Sequence, residues 1–245
     1  MPSARPRAQA PPPAEPTTDG AFRGFGPQTL PFFKALAFHQ SREWFQENRS
    51  IYDAEVKVPM EALVADLAGR FAARGIPLTA DPAKAMFRLH RDTRFSREKH
   101  PYKTQAGAVL SRDGSKRSPG LLYIHLDPQG CFLGCGFWQP EPDQLQAMRT
   151  RIRAEPRVWG RILDELGRKG LELGREDAMK RLPRGFEDMK GTPHEVSFLL
   201  RNLITSRPVA APLIHERTFV DTIDGFAADA LPLLRFGWQA LDGGA

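Results

Sequence analysis

The chain is predicted to be an α+β protein: a mainly antiparallel sheet of four to five strands, packed on one face by N- and C-terminal helices. Three observations predict this. Helical periodicity fills residues 27–75 and returns from Leu145 onward. Between these regions, four short runs alternate with period two. The links between those runs are too short for the crossovers that parallel strands require.

Each element has its own signal. Residues 1–20 hold six prolines and, beyond Met1, no large apolar side chain. Such a segment cannot bury enough surface to fold, so a disordered tail is expected ahead of one domain over 21–240. The tail also lacks the apolar stretch of a secretory signal. Pro27 to Phe38 reads as a short helix carrying Leu30, Phe33 and Leu36. Ser41 is a candidate N-cap for the next helix, with Trp44, Phe45, Ile51 and Tyr52 inward. Pro59 marks a break or kink. Met60, Leu63, Val64, Leu67, Ala68 and Phe71 share one helical face, which Gly75 ends.

The alternating runs are 85–91, 104–111, 121–127 and 130–138, and Asp127-Pro128-Gln129-Gly130 supplies a turn that makes the last two a hairpin. Two helices follow, on Leu145, Met148 and Ile152 and then on Val158, Trp159, Ile162, Leu163 and Leu166. Residues 168–192 are irregular and charged, with a short strand near Leu171–Leu173. A helix over Val196, Leu199, Leu200 and Leu203 precedes a last strand at Ile204–Val209. Phe219, Ile223, Phe226 and Leu231 make a closing helix that Pro232 interrupts.

Charge is concentrated in one place. Between Lys84 and Arg117 there are ten Lys or Arg and three Asp or Glu, a net +7, whereas the entire chain carries +6. A local cationic segment argues for a local anionic partner. The chain-wide charge is too modest to require nucleic acid. No run of eighteen apolar residues exists, so no membrane span is expected, and two cysteines make no disulfide framework, so a reduced, cytoplasmic setting is the default.

Strand alternation divides the predicted sheet into two faces. Phe87, Leu89, Leu122, Ile124, Leu126, Leu133 and Phe137 form an apolar set that should lie under the helices. Arg88, His90, Tyr123, His125, Gly134, Gly136 and Trp138 form the other. Glycine inside a strand marks close approach of a ligand or another backbone. A groove floored by Gly134 and Gly136, with Arg88 and His90 beside it and basic loop 94–103 at one end, would suit a phosphate or carboxylate. The candidate ligand-binding set is therefore Arg88, His90, Arg94, Ser96, Lys99, Lys103, Tyr123, His125, Gly134, Gly136 and Trp138. An antiparallel sheet also commonly keeps one polar face in water, and that plainer reading stands beside the first.

Arg91-Asp92-Thr93-Arg94-Phe95-Ser96, Lys99 and Pro101-Tyr102-Lys103 resemble the signature of the family called domain of unknown function 2461. The resemblance extends upstream to Trp44-Phe45, Asn48-Arg49 and Tyr52, and downstream to Gly134-x-Gly136, Trp138, Pro140, Leu145 and Arg149. It implies a single intracellular domain and no established chemistry. Family members commonly carry three glycines before the tryptophan, whereas Cys135 and Phe137 interrupt that run here, and many have Asp-Lys in place of Glu98-Lys99.

Other motifs argue against specific chemistries. Cys131 and Cys135 share a strand face without a second pair of thiols, which points to buried apolar-like cysteines and no zinc site. No nucleophile elbow, P-loop or dinucleotide fingerprint is present. Ser96 beside Lys99 and His100 fits a turn or cap better than a nucleophile. No cofactor is expected. Three functions remain: binding of an anionic small molecule, with or without catalysis; a nucleic-acid module using Lys99, Lys103, Arg112, Lys116 and Arg117 with Tyr123 and Trp138 as stacking rings; and a ligand-free protein-interaction domain.

Overall fold

The computed structural model describes residues 21–91 and 100–243; the expected tail lies outside the described residues. The chain opens with α1 (Thr29–Phe38), α2 (Arg42–Glu47) and α3 (Arg49–Tyr52), and one wide π-helical turn over Asp53–Lys57 leads into α4 (Val58–Ala73). Ser41 caps α2 by accepting from the Trp44 N–H at 3.2 Å. Pro59 causes no break. Lacking an N–H, it leaves the Glu55 carbonyl without its helical partner, and the wide turn just before it absorbs the mismatch. The buried Thr29 hydroxyl donates to that carbonyl at 2.7 Å and ties α1 to the wide turn. Gly75 ends α4 at φ +64°, with Ile76 donating back to the Phe71 carbonyl at 2.9 Å.

A single turn, α5 (Pro82–Ala85), precedes the sheet. The sheet comprises β1 (Ala106–Ser111), β2 (Leu121–Leu126), β3 (Cys131–Phe137) and β4 (Leu203–Val209), all antiparallel and in the order β1-β2-β3-β4. The β2–β3 hairpin turns where the sequence predicts. Asp127 Oδ1 accepts from Gln129 N–H at 2.8 Å, and the Asp127 carbonyl accepts from Gly130 N–H at 3.0 Å.

Residues 85–91 do not form the predicted strand. They run beside β1 and touch it through an isolated bridge, Met86 to Ala108, and then pair with the chain's own return at His90 and Tyr102. Helical Pro82–Ala85 sets the entry angle, so the segment peels away from the sheet after one bridge. Phe87 was expected under the helices. Because Met86 takes the covered side opposite Ala108, Phe87 projects to the other face.

After β3 come α6 (Pro142–Ala154) and α7 (Pro156–Arg168), then irregular chain, the short α8 (Glu195–Leu199), β4 and finally α9 (Phe219–Asp242). The strand expected near Leu171–Leu173 reduces to one bridge from Leu173 to Thr205. Helix α9 runs unbroken through Pro232. Leu231, Leu233 and Leu234 are buried on either side of the proline, and packing around the helix offsets its missing hydrogen bond. The covered face of the sheet packs on α9, which is flanked in turn by α4, α6 and α7. Leu122, Ile124, Leu126, Leu133, Cys135 and Phe137 supply that face, each at most 1% exposed. Among the described residues, no helix is long and apolar enough to cross a membrane.

Candidate functional site

The uncovered face follows from register. Gly107 faces His125, Val109 faces Tyr123, Tyr123 faces Gly134 and His125 faces Phe132. All of these side chains point away from α9. Val109 is buried although it lies outside the main core, so this face carries a small cover of its own. Phe87 and Tyr123 meet edge to face over the sheet, with centroids 6.1 Å apart. The Tyr123 ring lies across Gly107, where an added Cβ would come within 2.6 Å of the hydroxyl oxygen.

Two lysines complete the cluster. Lys103 Nζ stands 5.3 Å and Lys116 Nζ 5.2 Å from the centre of the Phe87 ring. Lys116 reaches there from the β1–β2 loop and donates to the Met86 carbonyl at 2.5 Å. Among the described residues, neither ammonium has a carboxylate within ion-pair distance. Partial burial, then Arg91, lowers the Lys103 pKa; partial burial, then Arg88 and Lys103, lowers that of Lys116. The cations therefore repel one another in a partly desolvated place.

A polar chain runs beside them. The Tyr123 hydroxyl and His125 Nδ1 are 2.8 Å apart, and His125 Nε2 lies 3.7 Å from Asp127 Oδ2. Phe132 packs on the imidazole, with centroids 4.5 Å apart. Burial pulls the His125 pKa down against the opposing pull of Asp127, so the ring is neutral at pH 7. With its proton on Nε2 toward Asp127, His125 accepts from the Tyr123 O–H. Burial, then Asp127, raises the Tyr123 pKa, which keeps the phenol protonated.

The predicted site residues are only partly brought together. Lys103, Tyr123, His125 and Gly134 share this face. Arg88 is exposed at the edge and acts on Lys116 electrostatically. His90 turns instead toward Tyr102 and Phe45, at 4.9 and 6.1 Å. Gly136 serves the backbone, because at φ +138° a Cβ would stand 2.2 Å from the Leu203 carbonyl of β4. Gly134 has ordinary clearance, with nothing nearer than 3.6 Å. Trp138 is 58% exposed at the end of β3. Arg94, Ser96 and Lys99 lie outside the described residues. Arg112 is engaged elsewhere, paired through both Nη atoms with Asp242 at 2.6 and 2.9 Å.

Sequence reasoning missed Phe87 as the centre of the cluster, and placed Lys116 only among phosphate-contacting cations. The signal for Phe87 was Pro82, which starts a helical turn and shifts the alternation that follows. Among the described residues, no three His, Cys, Asp or Glu side chains gather as a metal site.

A family model described as a conserved hypothetical protein, DUF2461, matches residues 28–236. The chain belongs to the DUF2461 family. The match spans the helices, the sheet and the lysine cluster together, so all of these are parts of one family unit. No curated protein and no solved structure matches the chain.

Proposed function

We propose that this DUF2461 protein binds a phosphate- or carboxylate-bearing small molecule on the uncovered sheet face. The observation that carries the proposal is the pair Lys103 and Lys116, held against one ring with lowered pKa values and no carboxylate partner among the described residues. A bound anion would relieve their repulsion and raise both pKa values. The anion would lie over Phe87, with Arg88 at the edge. The Tyr123 ring would line the site, its O–H held by His125 behind it. Two buried, unpaired cysteines suit the reducing cytoplasm.

Calorimetric titration with inorganic phosphate at low ionic strength tests this. Binding should be lost in Lys103→Gln/Lys116→Gln, and the double variant should fold at least as stably as wild type without phosphate. Binding that survives both changes would sink the proposal. The nucleic-acid alternative rests on the same lysines and predicts a steep salt dependence, with log K falling about 0.7–0.9 per phosphate contacted. Oligonucleotide binding with that slope and no phosphate binding would favour it.

A further inference from the structure

A cleft of about 840 Å³ opens at the far end of β3, away from the lysine cluster. Its walls come from four parts of the chain: Gln139 to Pro142 ahead of α6, Leu145 to Arg149 on α6, Asp177 to Met179, and Arg201. The walls are pinned by backbone and buried amide bonds. Met179 N–H donates to the Leu199 carbonyl at 2.7 Å. The buried Asn202 accepts from Gln139 N–H at 2.5 Å through Oδ1 and donates to the Asp177 carboxylate through Nδ2. Gln139 adopts φ +46°, an unusual conformation for a residue with a Cβ, and turns the chain at the cleft mouth.

Arg149 is the anomaly. It is only 6% exposed, yet it lines this cleft. One Nη donates to the Leu200 carbonyl at 2.8 Å, and its buried Nε has no hydrogen-bond partner. No carboxylate among the described residues lies within ion-pair distance of it, and the charge it feels is that of Arg201. The lining carboxylate, Asp177, is committed to the neutral amide of Asn202. A buried guanidinium facing a second arginine is costly unless an anion offsets it.

We propose that this cleft binds a small organic monocarboxylate, its carboxylate between Arg149 and Arg201 and its apolar body against Pro140, Leu145, Ala178 and Met179. Charge decides for a monoanion: two arginines and one aspartate leave +1, which a single carboxylate neutralises and a phosphate dianion overshoots. The planar fork of arginine matches the two oxygens of a carboxylate. The volume is that of a metabolite site. Pro140, Leu145 and Arg149 are also among the residues that carry the family resemblance, and the lysine cluster uses none of them.

Protein labelled with ¹³C at methionine methyls reports on this site, because Met179 lines the cleft while Met86, which meets Lys116 only through its carbonyl, turns its side chain to the covered side and serves as a reference. Benzoate at millimolar concentration should shift the Met179 signal saturably and leave Met86 unmoved. Benzamide, the uncharged isostere, should bind at least about tenfold more weakly. Arg201→Gln, at an exposed position, should keep the fold and weaken benzoate at least about tenfold, whereas Lys103→Gln/Lys116→Gln should bind it like wild type. An unmoved Met179 signal, or equal affinity in Arg201→Gln or for benzamide, would overturn the assignment. Inorganic phosphate that moves Met179 as strongly as benzoate does would overturn the monocarboxylate assignment.

Discussion

Substituting alanine at two glycines of one strand should give opposite results. At Gly136 the backbone sits at φ +138°, and a Cβ would stand 2.2 Å from the Leu203 carbonyl oxygen and 2.8 Å from the Ile204 Cα. Both obstacles are backbone atoms of the paired strand, so no side chain can swing clear. The conformation itself costs an L residue about 1–2 kcal/mol. Separating β3 from β4 enough to relieve the clash sacrifices ladder bonds worth about 1 kcal/mol each. Gly136→Ala should therefore lose about 4 kcal/mol, a large part of a typical domain's stability. For a chain of this size the melting temperature should fall by about 8–16 °C, measured by circular dichroism. At Gly134 the nearest atoms to a Cβ are at 3.6 Å or beyond, and φ is not positive. Gly134→Ala should leave stability unchanged or raise it by up to about 1 kcal/mol. Equal melting temperatures for the two variants would refute the assignment of Gly136 to strand pairing and Gly134 to an unencumbered floor.

Thr29→Val leaves the Glu55 carbonyl without its donor beside Pro59 and should cost about 1–3 kcal/mol in chemical denaturation, with an unchanged denaturant slope. His125 is held below the usual histidine range by burial, so the unfolded chain takes up its proton first as pH falls through about 6.5. Stability should decline on acidification through that window, and His125→Asn, which keeps an acceptor for Tyr123, should flatten the decline in melting temperature measured against pH. Cys131 and Cys135 are buried and their thiol pKa values are raised by burial, so neither should react with a disulfide reagent until the protein is unfolded. Prompt native-state labelling of either would show that the covered face opens.

The regular elements were legible because their signals are local and mutually consistent. The apolar face of α4, the Ser41 cap and the Asp127–Gly130 turn each read correctly from a few residues. Alternation in β2 and β3 placed Tyr123, His125 and Gly134 on one face with Leu122, Ile124 and Leu133 on the other. What failed depended on context. Pro59 and Pro232 are helix breakers in isolation, yet a wide turn accommodates the first and surrounding apolar contacts the second. A one-residue change of register at Met86 moved Phe87 from the covered face to the centre of the lysine cluster. The role of Gly136 was hidden because a glycine that admits a ligand and one that admits a neighbouring strand look alike in sequence. The Arg149 cleft joins residues from 139 to 201 through Asn202, and no spacing within the sequence announces that.

Nitrogen-detected NMR titration of the lysine side chains tests the proposed anion site at its own atoms. In chloride buffer, Lys103 and Lys116 should titrate below the ordinary lysine range, because burial and their cationic neighbours favour the neutral form, whereas the exposed Lys84, paired with Asp81, should titrate above it. Adding inorganic phosphate should move both upward together while leaving the exposed lysines in place. If Lys103 and Lys116 titrate with the exposed lysines and phosphate moves neither, the uncovered face is not an anion site.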